Sequence, residues 1–500
     1  MGFSTFDWAV FGGYFTVLAL TSWLFSRFSI RSSRDYFVGG NSVPMLAAAV
    51  SVLATSQSAA TFLGAPEFAY RSNLTFIGFY FSALLAVIFI AKVLVPRFYA
   101  INAVTVYELL ENRYGARAKR EAGAMFLVGR ILASGARLYI GALAVSMIVF
   151  GDIAALHILI AVTLLVAGAL AYTYFGGVKS VIYSDAIQAF TYIAAGIAVL
   201  VYLYGALQTD FGTVIGVLES ERKLTFVDIG TGDFSLHHLL GGWLLLNIAA
   251  YGLDQDMTQR VLACRDGRSG ARALVVSILL TIPVVLLFLA IGALLYLYYN
   301  HPELSGFGGE ALQRFDGEKI TILMTYILNE MPEGLRGLVT VGAIAAALSS
   351  TNSVLAAMAS VAVEDIYRPW RTARGITDEG HYVKAARAAV LLFAAVLSGM
   401  AMVSYYWQRA TDLPLVSFAL GVMSFAYAGL LGVYASALFT SRGSEKRVLW
   451  ALAGGFATVL ALQPYLFGSS LALGGQLVAG TAVSFAIMQT GNAKDVKHVG

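Results

Sequence analysis

Charge is scarce in this sequence. Asp, Glu, Lys and Arg make up 12% of its 500 residues, about half of what a soluble domain carries, which excludes an ordinary water-facing globule. Cysteine occurs once, as Cys264, so an intramolecular disulfide and a cysteine-based metal site are excluded and a packing role at a helix end is expected. The six histidines are dispersed, and the adjacent pair His237 and His238 lacks metal-ligand spacing. No Gly-x-x-x-x-Gly-Lys-Ser/Thr run is present, so ATP is not expected to supply energy. Paired acids, or a nucleophile with its base, do not occur at catalytic spacing, and an enzyme is not expected. The net charge of +4 is small and spread over loops, and nothing in it suggests nucleic-acid binding.

What the chain has instead is oil. It is 58% hydrophobic with a mean hydropathy of +0.74, the composition of an all-α polytopic membrane protein. Apolar stretches of about 20 residues, the length that crosses a bilayer, number about thirteen. They centre near residues 17, 55, 85, 137, 164, 197, 250, 285, 350, 396, 427, 457 and 480. The first, Trp8 to Phe25, has no basic segment before it and reads as a retained helix rather than a signal peptide. Cytoplasmic loops retain positive charge. Placing the N-terminus outside puts most of the 33 Lys and Arg inside, including Arg27, Arg31, Arg34, the segment 97–120, Lys179, the segment 265–272, the segment 368–384, the segment 442–447, and Lys494 and Lys497. The expected location is a plasma (inner) membrane with the C-terminus cytoplasmic. Connecting segments, the longest being 104–122, 209–236, 301–319 and 364–384, are too short for a separate enzyme domain.

Two spans carry polar and helix-breaking residues in their middles. The second runs through Thr55, Ser56, Gln57, Ser58 and Thr61 to Gly64 and Pro66; the seventh contains Asn247, Tyr251, Gly252, Asp254, Gln255 and Gln259. They lie five spans apart, and paired interruptions in two halves point to inverted repeats with a binding site at the broken helices. The division expected is an extra helix and inner loop over 1–34, a first five-helix repeat over 35–207, a second and inverted one over 208–440, and two terminal helices with a tail over 441–500.

Three groups of residues carry candidate chemistry. Ser349, Ser350, Thr351, Asn352 and Ser353 are consecutive in an oily helix. Ser349 shares a helical face with Asn352 and Ser353, so their oxygens can converge on a small cation; close helix packing through small polar residues is the alternative. Asp185 would add a carboxylate to make a charge-balanced hard-cation site, unless it is a solvated charge at a helix start. Arg137 falls about 14 residues, or ~21 Å, along its helix and so near the bilayer midplane, where an arginine costs ~3 kcal/mol or more. Its planar fork suits a carboxylate, with a structural ion pair as the alternative. Arg130, on the same face and nearer the cytoplasm, reads as a pathway or gate residue. Trp243, Asn247 and Tyr251 form an i, i+4, i+8 stripe that is either packing or a platform for a polar organic solute. Lys92 reads as an interface snorkel and Glu364 with Asp365 as a span-end cap.

Together these segments resemble the sodium/solute symporter family, which includes the sodium/glucose, proline, pantothenate and sialic acid transporters. The resemblance rests on Asp35-Tyr36-Phe37-Val38-Gly39-Gly40, on the run Tyr174 to Gln188 with Gly176-Gly177 and Asp185, on Asp254-Gln255 with Gln259-Arg260, and on Ala346 to Ser353. It implies an inverted five-helix repeat (LeuT-like fold) and alternating access driven by Na⁺. By motif position it implies a main Na⁺ site from the carbonyls of Ala54, Gln57 and Ala346 and the hydroxyls of Ser349 and Ser350. A second Na⁺ site, found in some members, would use Asp185, Ser349, Asn352 and Ser353, with Asn352 standing where relatives often have Ser or Thr. Ser58, Thr61 and Arg137 match the sialic acid branch, where they would meet the solute's carboxylate. Tyr80 stands where that branch has glutamine and implies a differently shaped pocket. Gly135-Ala136-Arg137-Leu138 is also similar to the proline branch. The expectation is Na⁺-coupled uptake of a small organic solute, a carboxylate such as a sialic acid. A neutral-sugar symporter using Trp243, Asn247 and Tyr251 is the alternative, and a transporter-like membrane sensor a remote one.

Overall fold

A computed structural model describes residues 3–491, apart from 26, 28–29, 231, 309–313, 316–317 and 412–414. Lys494 and Lys497 lie outside the described residues. With no water in hydrocarbon to satisfy the backbone, apolar segments fold as helices that bond their own amides, and helices make up most of the described residues. The long ones are α1 (Thr5–Phe25), α2 (Met45–Ser56), α3 (Ala59–Arg71), α4 (Ile77–Ala100), α5 (Ala116–Val149), α6 (Ala155–Ala206), the short pair α7 (Gly242–Ile248) and α8 (Gln255–Leu262), α9 (Gly267–Asn300), α10 (Leu335–Ser360), α11 (Glu379–Thr411), α12 (Leu415–Phe439), α13 (Glu445–Ala461) and α14 (Leu473–Gln489). Arg314–Phe315 and Glu318–Lys319 form a small antiparallel pair.

Among the described residues eight helices are each long and apolar enough to cross a membrane, and α2 with α3 makes a ninth across a 64° bend. The spans expected near residues 164 and 197 join into the single 52-residue α6, bent at Gly177, whose φ of 57° and ψ of −155° are non-helical. A Cβ at Gly177 would lie 2.5 Å from the Tyr36 carbonyl oxygen, so glycine lets the segment before α2 press onto the bend. The Tyr36 hydroxyl then donates to the Thr173 carbonyl at 2.6 Å. Counting α6 as two rods, α7 with α8 as one broken span, and α13 and α14 as spans reproduces the thirteen expected.

The core is built around α10, which packs against α6, α5, α2, α3 and α11. Its run of Ala345, Ala346 and Ala347 is buried, and small residues let these backbones approach closely. α1 packs on the outer side of α10 and α6, burying Tyr14 and Leu18 and exposing Trp8, Leu20 and Trp23, while Ser22 donates to the Ala171 carbonyl at 2.6 Å. Asp7 accepts from the amides of Gly334 and Gly337, the orphan donors at the start of α10.

Two sequence expectations need correction here. The stretch 104–122 is not a loop throughout: Glu108–Tyr114 is helical and α5 already starts at Ala116, where Arg117 pairs with Glu121 one turn on at 2.6 Å and helps carry a polar first turn. Nor do Glu364 and Asp365 act together as a cap. Glu364 pairs with Arg368 at 3.2 Å, whereas Asp365 is fully buried and accepts from the Thr105 hydroxyl at 2.7 Å.

Candidate functional site

Both interrupted spans break where their polar residues predict. α2 stops at Ser56, Gln57 and Ser58 are extended, and α3 resumes at Ala59. A helix end leaves its last four carbonyls without intrahelical donors, which turns the oxygens around Ala54 to Gln57 into available cation ligands. In the second break α7 passes through a π turn, Ala249–Leu253, to an extended Asp254. Asp254 accepts from the Asp256 amide at 2.9 Å and so caps α8.

Between the breaks lies a cavity holding about 820 Å³ of space open to solvent, walled by Ser56, Ser58, Thr61, Tyr80, Asn247, Tyr251 and Arg137, among others. Six of the seven residues expected at a solute site therefore share one chamber. Arg137 sends Nη2 to the Met423 sulfur at 2.8 Å and, among the described residues, has no carboxylate within ion-pair distance. Asn247 donates to the Phe79 carbonyl at 3.2 Å, and its buried Oδ1 has no hydrogen-bond partner among the described residues. Tyr80 receives a bond from Gln57 Nε2 at 3.4 Å. Trp243 is not brought to the wall. Its indole N–H donates to the Asp233 carbonyl at 2.6 Å and its ring stacks on Phe234 and meets Phe79 edge-on, which keeps it behind the wall.

The hydroxyl cluster of α10 faces Asp185. That carboxylate is fully buried, which removes the reading of a solvated helix start. It accepts from Ser349 at 2.9 Å and Ser353 at 3.4 Å on one side and from Ser51 at 2.5 Å and Thr55 at 3.5 Å on α2. Asn352 does not join them: its Nδ2 turns to Gln188 Oε1 at 3.5 Å, while its Oδ1 is buried without a partner. The common face of Ser349, Asn352 and Ser353 is wide enough for the amide to look past Asp185. Ser350 donates to the Ala346 carbonyl at 2.8 Å, bringing two oxygens of the expected main cation site together. Ser350 also shares a small void of about 260 Å³ with Ser134, Thr351 and Arg137, so the arginine spans the interval between solute chamber and cation helix.

A cluster of buried charges adjoins the chamber at Arg130 and Tyr427. Arg130 holds Asp254 at 2.5 Å and lies 3.3 Å from Asp256, and the Tyr427 hydroxyl donates to Asp254 at 2.5 Å. Arg130, read from sequence as a pathway or gate residue, is thus a member of a buried ion pair. Arg260 sits between Asp256, 3.4 Å away, and Asp185, 3.6 Å away. The i, i+4 spacing of Asp256 and Arg260 was a usable signal; the partners on α5 and α6 were not visible in sequence.

Comparison with known proteins follows the same lines. Residues 36–455 match the family described as the sodium:solute symporter family. The chain is 28% identical over 480 residues to the sodium/sialic acid symporter SiaT of Proteus mirabilis (strain HI4320), covering 94% of this chain and 91% of that one. It is 25% identical over 464 residues to the sodium-coupled monocarboxylate transporter 1 of Homo sapiens, covering 92% and 73%. A Na⁺-coupled sialic acid symporter solved in a substrate-bound outward-open state superposes with a TM-score of 0.82 at 24% identity, over 97% of both chains, so the fold is shared.

Proposed function

The chain belongs to the sodium:solute symporter family, and on that premise we propose that it couples downhill Na⁺ entry to uptake of a small organic carboxylate, such as a sialic acid, by alternating access. The observation that carries the solute class is Arg137: a buried-side guanidinium facing the chamber, with no carboxylate of the protein at ion-pair distance among the described residues. A charge in that position is costly unless a ligand neutralises it, and a carboxylate matches its fork. Ser58 and Thr61 supply hydroxyls at the start of α3, where unbonded amides also favour an anion. Tyr80, Tyr251 and Asn247 line the remainder of the solute, with Asn247 Oδ1 available to accept from a hydroxyl or amide. Trp243 acts from behind, by fixing Phe79.

Sodium is cargo as well as driving ion. The main site is formed by the carbonyls of Ala54, Gln57 and Ala346 with the hydroxyls of Ser349 and Ser350; the second is formed by Asp185, Ser349 and Ser353, with Asn352 contributing after its amide rotates. Sodium bridging α2 and α10 holds the chamber open toward the outside, and solute then draws the outer side closed, each acting only by its differential affinity for the two states. The N-terminus lies outside and the C-terminus in the cytoplasm, as the basic loops require, in a plasma membrane. Neither ATP nor nucleic acid takes part.

The test is thermal stabilisation of purified protein by sialic acids, amino acids, short carboxylates and neutral sugars, with and without Na⁺, repeated in Arg137→Ala. One carboxylate is expected to stabilise, and to need both Na⁺ and Arg137. Stabilisation by a neutral sugar irrespective of Arg137 would overturn the solute class.

A further inference from the structure

Five ionisable side chains run in one line from the floor of the solute chamber to the hydroxyls of α10. Arg130 lines the chamber and holds Asp254 at 2.5 Å. Asp256 lies 3.3 Å from Arg130 and 3.4 Å from Arg260, and Arg260 Nη2 lies 3.6 Å from Asp185 Oδ2. None of the five is more than 3% exposed. Within the line three carboxylates face two guanidiniums in a place where net charge is expensive, and Arg137 across the chamber adds a more distant positive charge that Asp254 and Asp256 feel.

The shortfall falls at Asp185. Arg130 gives Asp254 two contacts, from Nε at 3.1 Å and Nη2 at 2.5 Å. Arg260 is anchored on the other side through Nη1, which donates to the Asp256 backbone carbonyl and to its carboxylate. Its Nη2 has no hydrogen-bond partner among the described residues, and 3.6 Å to Asp185 is too long for one. The Ser51 hydroxyl stands between them, accepting from Arg260 Nε at 3.1 Å and donating to Asp185 at 2.5 Å. Arg260 therefore has two carboxylates within reach and is committed to one.

We propose that Arg260 is a tethered cation that competes with sodium for Asp185 and that, through Asp256 and Arg130, it makes occupancy of that cation site felt at the floor of the solute chamber. This rests on the reading of Asp185 as part of a second sodium site. A sodium ion on Asp185, Ser349 and Ser353 repels the guanidinium toward Asp256. That shares Asp256 less with Arg130, which then tightens on Asp254 and Tyr427. Without the ion Arg260 leans toward Asp185 and releases Asp256. Coupling of this kind is reciprocal, so whatever solute does to Arg130 returns to the sodium site as a change in affinity. Arg260 is a positioning residue; it touches neither cargo.

The experiment needs no knowledge of the solute. Sodium-dependent thermal stabilisation is titrated with NaCl alone at constant ionic strength, KCl making up the balance, in purified full-length protein. Arg260→Gln removes the competitor and is expected to lower the sodium concentration for half-effect by about fivefold or more. Asp256→Asn frees Arg260 to settle on Asp185 and is expected to raise it by a similar factor. Both shifts are expected to vanish in an Asp185→Asn background. Damage to packing would weaken sodium binding in both variants alike. The proposal is overturned by unchanged sodium dependence, by shifts of the same sign, or by shifts that persist with Asp185→Asn; if one variant does not insert, the sign of the other against that background decides. An Asp185→Asn protein with unaltered sodium titration would overturn the site itself, and the proposal with it.

Discussion

Ser350 shows how a single hydroxyl can be both a helix bond and a cation ligand. Its proton now goes to the Ala346 carbonyl one turn back, the local bond that Ser and Thr make inside helices, and sodium binding needs that oxygen's lone pairs rather than its proton. Ser350→Ala removes one oxygen while leaving the helix intact. Sodium-driven uptake in proteoliposomes is expected to fall at least about tenfold, the scale of one lost charge-assisted contact of ~1.5 kcal/mol, with membrane insertion unchanged. Uptake at the native level would remove Ser350 from the main site. Residues of this kind were legible without a structure because their type is out of place: hydroxyls in succession, an arginine at mid-membrane, a carboxylate at the edge of an apolar span. Their partners were not legible. Asp185 is separated from Arg260 and Ser349 by long stretches of chain, and whether Asn352 looks at Asp185 or at Gln188 depends on a side-chain rotation that spacing alone does not specify.

Elements were legible to the extent that polarity interrupts them. The breaks after Ser56 and before Gln255 sit inside the two polar interruptions, since an unwound backbone inside a membrane needs polar surroundings. The break in α6 at Gly177 falls between the two spans expected near residues 164 and 197, beside the basic Lys179; what the sequence did not show is the approach of Tyr36 that requires glycine there. Gly177→Ala is accordingly expected to be severe, combining an unfavourable φ with a 2.5 Å contact to backbone that has no rotamer to yield. Loss of most folded protein by size-exclusion chromatography in detergent is the expected result, whereas the same substitution at Gly205, where nothing lies within 4 Å, is expected to be tolerated.

At the scale of the whole molecule the question is how many charges cross the membrane per cycle. Protein charges reset at the end of each cycle, so the cargo alone counts: with both proposed sodium sites loaded and one monocarboxylate aboard, one net positive charge would move inward. A membrane potential then contributes about 2.3 kcal/mol per 100 mV for each turnover. Uptake is expected to accelerate under an inside-negative potassium diffusion potential. In Asp185→Asn, with the main site alone loaded, uptake is expected to continue but to lose its response to potential. A mutant as potential-sensitive as the native protein would show that Asp185 carries no transported ion.

The contact between Arg137 and the Met423 sulfur has a consequence in redox chemistry. A thioether is a weak acceptor and lets the guanidinium go when a carboxylate arrives. Peroxide converts it to a sulfoxide, whose polar oxygen is a far stronger partner, and Met423 borders the open chamber where an oxidant can reach it. An oxidised Met423 would hold the arginine as a permanent internal substitute for the solute. Peroxide treatment is therefore expected to silence uptake, methionine sulfoxide reductase to restore it, and Met423→Leu to confer resistance, which would make this transporter responsive to oxidative stress through one sulfur atom.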